Sequence, residues 1–156
     1  MRIRILVAVA ALTLVATVFA GPPGIANHRA NQRANQRTGP CHADRVDGET
    51  IQHFMKRKIS CAVETFGRVG GGAQRAICIA KRESGLIPTA ESKTGMYLGL
   101  YQHAAKVWPK RYGAWTDPSW ELSDNALNGR TNAIVTIRMV HALGGWKAAG
   151  WPVIDC

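Results

Sequence analysis

Two helical stretches separated by a run of glycines constrain the fold of this chain more than any other feature. Ile51, Phe54, Met55, Ile59, Ala62, Val63 and Phe66 keep helical spacing from Asp47 to about Phe66, and Gly67 supplies the stop. A second helix is expected from about Gly72 to Ser84, ended by Gly85 and Pro88. A third strong helix, about Gly129 to Leu143, puts Ala133, Ile134, Ile137 and Val140 on one side and stops at Gly144-Gly145. Between them, "LIPTAESKTGMYLG" carries Pro88, Gly95 and Gly99 among scattered Ser and Thr, the composition of a long ordered loop or a small irregular hairpin. A short helix is expected from Gln102 to Tyr112, and "DPSWELSDN" reads as loop with one helical turn. Strand signals are few, so the expectation is a mainly α single domain.

The 156 residues leave room for one core and no second domain. Residues 1–20 read as a secretory signal peptide. Arg2 and Arg4 form its charged start, Ile5 to Phe19 its apolar run, and Val18 and Ala20 suit a cleavage site. Export to the cell exterior or cell wall is therefore expected, with no stable membrane insertion once the signal is removed; an uncleaved anchor is the alternative. Residues 21–40, "GPPGIANHRANQRANQRTGP", hold three Ala-Asn-x-Arg units and too little apolar surface to bury, as a basic low-complexity linker would. The globular domain is assigned to residues 41–156.

An exported chain with four cysteines is expected to hold two disulfides. Cys61 and Cys78 lie equally far from the midpoint of the Gly67–Gly72 connection. If that connection joins antiparallel helices, Cys61 faces Cys78, leaving Cys41 and Cys156 to tie the domain's ends together. The formal charge of +10, of which Arg2 and Arg4 leave with the signal, favours an anionic partner. Cell-wall polymer, nucleic acid and anionic lipid all satisfy that charge.

One residue breaks the pattern. Positions three, four and seven apart share a helix face, so Ala76, Ile79, Ala80 and Glu83 form one stripe, and a carboxylate ends an apolar surface. An ion pair with Lys81 or Arg82 would explain it as structure. Burial and the negative end of the helix dipole would both hold its proton instead, which is the tuning a general acid needs.

The residues around Glu83 resemble a known signature. "ESGLIPTAESKTG" followed by "GLYQ" is similar to the active-site region of the lytic transglycosylases of the lysozyme-like superfamily, in the soluble lytic transglycosylase group. There a Glu-Ser pair ends a helix, a Pro and a Ser follow at set intervals, and a Gly-Leu-aromatic-or-Met-Gln element lines the cleft. The matching positions here are Glu83-Ser84, Pro88, Ser92, Gly95 and Gly99-Leu100-Tyr101-Gln102. The likeness continues into "TNAIVTIRMVHALGGWKAAGW", similar to the ending of actinobacterial members, and spans roughly Ile77 to Trp151. One departure is "MYL" between Gly95 and Gly99, one residue longer and bulkier than the usual small pair.

That resemblance implies a lysozyme-like fold and a secreted enzyme that cuts peptidoglycan glycan strands, needing no cofactor or metal. Glu83 would be the single catalytic acid and base, closing a 1,6-anhydro ring on N-acetylmuramic acid. Ser92 and Gln102 would hydrogen-bond the glycan, Tyr101 would stack on a sugar face, Gly95 and Gly99 would let backbone approach the chain, and Asn132 would either hold the active-site loop or be an ordinary helix-surface amide. A glycosidase with two carboxylates needs a partner acid; Glu91, Asp117, Glu121 and Asp124 are present, but none stands where the resemblance would put one. His103 is either at the cleft or a surface imidazole, the five tryptophans are sugar platforms or packing, and Lys56-Arg57-Lys58 is a solvated helix face. The alternatives to the transglycosylase are a hydrolytic muramidase and a peptidoglycan-binding module that has lost activity. A nucleic-acid partner is not expected, since no groove-reading motif accompanies the charge, and a monomer is.

Overall fold

The computed structural model describes residues 39–152 and 155–156, so the expected signal peptide and all of the linker but Gly39 and Pro40 lie outside the described residues. Four α-helices carry the domain: α1 (Ile51–Phe66), α2 (Gly72–Ser84), α3 (Trp108–Trp115) and α4 (Gly129–Ala142). The chain is mainly helical, with two-residue strands β1 (Tyr97–Leu98) and β2 (His103–Ala104) and 3-10 turns at Ala105–Val107 and Pro118–Trp120. Among the described residues no helix is long and apolar enough to cross a membrane.

Local chemistry sets the helix ends. Thr50 accepts from the His53 amide and starts α1. Gly85, in the left-handed region at φ 65°, ends α2 by donating to Ala80 and Lys81 carbonyls. Asn128 caps α4 by accepting from the Thr131 amide. The expected Gln102–Tyr112 helix starts later, because His103 and Ala104 pair with Leu98 and Tyr97 in an antiparallel ladder and Pro109 favours a helix start beside Trp108.

α4 is the centre of the molecule. The sequence placed an apolar stripe on one side of it; the structure buries it nearly all round, from Thr131 to Ile137 without interruption and on to Met139 and Val140. A helix covered on every side needs apolar or satisfied residues on every side, and α1, α2, the hairpin, α3 and the closing Trp146–Trp151 segment supply the cover. Ile134, Ile137 and Val140 are fully buried, each stabilising the fold by roughly 1.5–3 kcal/mol.

The disulfides pair differently from the expectation. Cys41 bonds Cys61 and Cys78 bonds Cys156. Equal distance from the glycine turn sets two cysteines at one level but not on one face. Core contacts of α1 run through Met55, Ile59, Ala62 and Val63, and those of α2 through Ala76, Ile79 and Ala80. Cys61 and Cys78 sit on the flanks, each facing one end of the domain. In the chain-entropy model the bridge spanning 78 residues contributes about 4–5 kcal/mol and the one spanning 20 about 3 kcal/mol.

The basic cluster of α1 also departs from a solvated face. Lys56 is exposed and Arg57 pairs with Glu49 at 2.7 Å, but Lys58 is buried. Its ammonium donates to the carbonyls of Cys41 and Ala43 and lies 4.7 Å from the centre of the Phe54 ring. Burial, with Arg130 and Arg57 nearby, lowers its pKa to about 8. Lys58 thus anchors the chain entering the Cys41–Cys61 bridge.

Candidate active site

Glu83 stands at the C-terminal end of α2, where the buried stripe of Ala76, Ile79 and Ala80 runs out to the surface. The side chain is open to solvent rather than buried as expected, yet enough protein crowds the carboxyl to raise its pKa; Arg82 opposes that shift more weakly. Neither Lys81 nor Arg82 pairs with it. Arg82 turns to Asp155, 3.8 Å away, and among the described residues nothing hydrogen-bonds the Glu83 carboxyl.

The carboxyl looks into a cleft of about 310 Å³ lined by Arg82, Glu83, Tyr97, Gln102, Gly150, Trp151 and Pro152. A smaller recess of about 50 Å³ continues from it, between Ile79, Glu83, Trp151 and Pro152. Among the described residues no second acid lines either hollow. Glu91 is exposed on a bridge to Leu98, and Asp117 is turned to Ser119, whose hydroxyl and amide hold its pKa low.

Three of the expected site residues serve as scaffold. Tyr101 is fully buried, so it does not stack on a sugar: its hydroxyl donates to the Ala76 carbonyl, and its ring lies 5.9 Å from that of Trp146 and 6.0 Å from that of Trp151. Gly99 approaches protein and not glycan. A Cβ there would stand 2.2 Å from the Ala126 carbonyl oxygen and 2.4 Å from Asn132 Nδ2, at a backbone φ of +79°. Ser92 is outside the cleft lining; its Oγ and amide clip the amide and carbonyl of Tyr97.

Asn132 too lies outside the cleft lining, neither a glycan contact nor a helix-surface amide. Fully buried on α4, it accepts from the Tyr101 amide and donates to the Ala126 carbonyl, fixing the Gly99–Gln102 loop against the core. Ser84 clips the same loop to the end of α2, with its hydroxyl 2.8 Å from the Leu100 carbonyl. Gln102 lines the cleft in the left-handed region (φ 49°), its amide nitrogen donating to Ala90 and Gly99 carbonyls. Both donors are thereby used, and among the described residues nothing donates to the Oε1 acceptor, which is suited to an N–H of a ligand.

Sequence reasoning missed the aromatic that does face the cleft. Tyr97 is 47% exposed and lines the hollow opposite Trp151, in the "MYL" insertion that departs from the resembled pattern. Its bulk was the signal. Trp151 forms the inner wall, its indole N–H donating to the Tyr101 carbonyl.

His103 is neither in the cleft nor on the surface. It is fully buried, with Nδ1 2.8 Å from an Arg111 nitrogen and Nε2 2.8 Å from Thr136 Oγ1. Thr136 donates its own hydroxyl hydrogen to the Asn132 carbonyl, so Oγ1 accepts from His103 and the imidazole carries its hydrogen on Nε2. Arg111 donates to Nδ1. A second ring proton would point at a guanidinium, and burial, followed by the charge of Arg111, lowers the pKa to about 3. Arg111 then rests 5.7 Å over the Trp151 ring, behind the cleft wall.

Among the described residues no group of three His, Cys, Asp or Glu side chains is placed to hold a metal ion. No family model, curated protein or solved structure matches this chain.

Proposed function

We propose that this chain is a secreted lytic transglycosylase with a lysozyme-like fold, acting on the β-1,4 bond between N-acetylmuramic acid and N-acetylglucosamine in peptidoglycan. The observation that carries the reading is Glu83: one carboxyl of raised pKa that, among the described residues, has no hydrogen bond or ion pair and faces a cleft with no second acid. Such a group is shifted toward the protonated form that a general acid needs, and among the described residues it has no carboxylate partner in the cleft to activate water or attack the sugar.

In the proposed sequence Glu83 protonates the glycosidic oxygen as the bond to the muramic C1 breaks. The substrate's acetamido oxygen stabilises the cation. The ionised Glu83 then takes the proton of the muramic 6-hydroxyl, whose oxygen bonds to C1 and closes the anhydro ring. No water is consumed, and Glu83 ends protonated as it began. Gln102 Oε1 accepts from an amide of the glycan, and Tyr97 offers a ring to a sugar face.

The test is release of soluble fragments from purified peptidoglycan by the wild type and by Glu83→Gln. Loss of the general acid lowers the rate by on the order of 10²–10⁴-fold. Retained activity in Glu83→Gln would sink the reading, and wall binding without release by the wild type would leave a binding module.

A further inference from the structure

The wall of the cleft beside Glu83 has no regular structure of its own. Gly144 to Pro152 follow α4 as turns, with neither helix nor strand. Yet Gly150 and Trp151 of this segment line the cleft, and Trp151 also walls the recess that it shares with Glu83. A backbone without a ladder is held by its side-chain contacts. The core supplies the rings of Tyr101 and His103, set edge-on to Trp151, and the Tyr101 carbonyl for its indole N–H. The contact over the Trp151 ring comes from Arg111 of α3.

Arg111 carries a charge that the fold does not neutralise. It is half-buried, which lowers its pKa, and among the described residues no carboxylate pairs with it. Its planar group spreads over His103, Trp151 and Gly150 instead. Nη1 donates to the neutral His103 at Nδ1, 2.8 Å away, and the guanidinium carbon stands 5.7 Å from the centre of the Trp151 ring. A Cβ at Gly150 would lie 3.9 Å from Nη2, so the fork rests against backbone that lines the cleft. His103 is itself fixed on its other side by Thr136. One side chain thereby joins α3, β2 and the closing segment.

We propose that Arg111 is a positioning residue of the cleft: braced on His103, it holds Trp151 and Gly150 in place and keeps the wall closed against Glu83. This role rests on Glu83 being the acid of the cleft, as proposed above. Ile79, Trp151 and Pro152 share the recess with Glu83, so loosening the wall admits water to the carboxyl and undoes part of the burial that raises its pKa. Among the described residues the charged and titratable groups facing Glu83 are Arg82, next to it on α2, and Tyr97 of β1, with Asp155 of the closing segment beyond Arg82. Substitution at Arg111 leaves all of them in the chain.

The experiment is NMR on the full chain with both disulfides formed, comparing the wild type with Arg111→Met, Arg111→Gln and Lys110→Met, the last an equal change of charge at an exposed position of the same helix. Hydrogen exchange of the Trp151 indole N–H reads the wall and the carboxyl carbon of Glu83 reads the acid, both without substrate. In Arg111→Met the indole exchanges about tenfold faster or more, and Glu83 titrates at lower pH than in the wild type. Removing a positive charge alone would shift Glu83 the opposite way, so a fall reports the wall. Arg111→Gln, which keeps a donor for His103 but no cation over Trp151, shows both changes and decides the matter if the methionine variant does not fold. Lys110→Met shows neither. On peptidoglycan the alkaline limb of the kcat/KM profile moves to lower pH in step. Unchanged exchange and titration in the Arg111 variants, or an upward shift of Glu83, overturns the positioning role. A wild type that releases no glycan while both NMR readouts move as expected defeats the transglycosylase reading instead and leaves Arg111 as the brace of the cleft.

Discussion

At the scale of single residues, burial decides what each polar group can do. His103 and Glu83 are both titratable and both near the same loop, yet one is locked neutral in the core and the other is left open, with crowding by the protein raising its pKa. The His103 arrangement fixes a sign for stability against pH. Its folded pKa of about 3 lies below the ordinary 6.5, so the unfolded chain takes up the proton first. Stability is full above about pH 6.5 and falls toward pH 3, at up to about 1.4 kcal/mol per pH unit from this one group. His103→Gln keeps an acceptor for Arg111 and a donor for Thr136 and removes the titration. Urea unfolding of wild type and variant should therefore diverge near neutrality and converge in acid as the wild type loses its excess; parallel curves from pH 7 to 4 would refute the buried-neutral assignment.

At the scale of elements, the hairpin and its turn bring Tyr97 and Gln102 to the cleft lining, and this is also where sequence and structure diverge. Helix spacing made α1, α2 and α4 legible to within a few residues, because a face of a helix repeats on a fixed period and its caps have their own chemistry. Glu83 was legible for the same reason, as an acid at the end of an apolar stripe. The tyrosines were not: Tyr97 and Tyr101 lie four residues apart in an irregular segment with no period to say which side is in. Two hydrogen bonds decide it, from the Tyr97 amide to Ser92 Oγ and from the Tyr101 amide to Asn132 Oδ1. Tyr97→Ala should raise the KM for glycan several-fold with kcat little changed, while Tyr97→Phe, which keeps the ring, should match the wild type in the same steady-state assay. Gly99→Ala acts through packing instead. With a Cβ forced to 2.2 Å from a backbone oxygen at positive φ, it should lose on the order of 2 kcal/mol or more in denaturant unfolding; a neutral effect would contradict the close approach.

At the scale of the whole molecule, the two disulfides divide the labour. Two bridges in one small α domain point to an oxidising compartment. Cys41–Cys61 fastens the entering chain beside Lys58, away from the cleft. Cys78–Cys156 ties α2 to the C-terminal segment just beyond Gly150, Trp151 and Pro152, which wall the cleft opposite Glu83. The pairing was illegible in the sequence because a cysteine on a helix flank can look either along the hairpin or toward a chain end, and only the packed core chooses. Cys78→Ser/Cys156→Ser should cost more stability than Cys41→Ser/Cys61→Ser and should also impair glycan cleavage under conditions where both variants remain folded. Equal residual activity in the two would show that the cleft wall does not depend on its tether.

The central claim is that one carboxylate serves as both acid and base, and the masses of the sugars released from purified peptidoglycan test it most directly. Products one water lighter than hydrolysed muropeptides, made by the wild type and absent with Glu83→Gln, are the expected result. Fully hydrolysed ends would contradict it, since they would show that water and not the muramic 6-hydroxyl attacks C1.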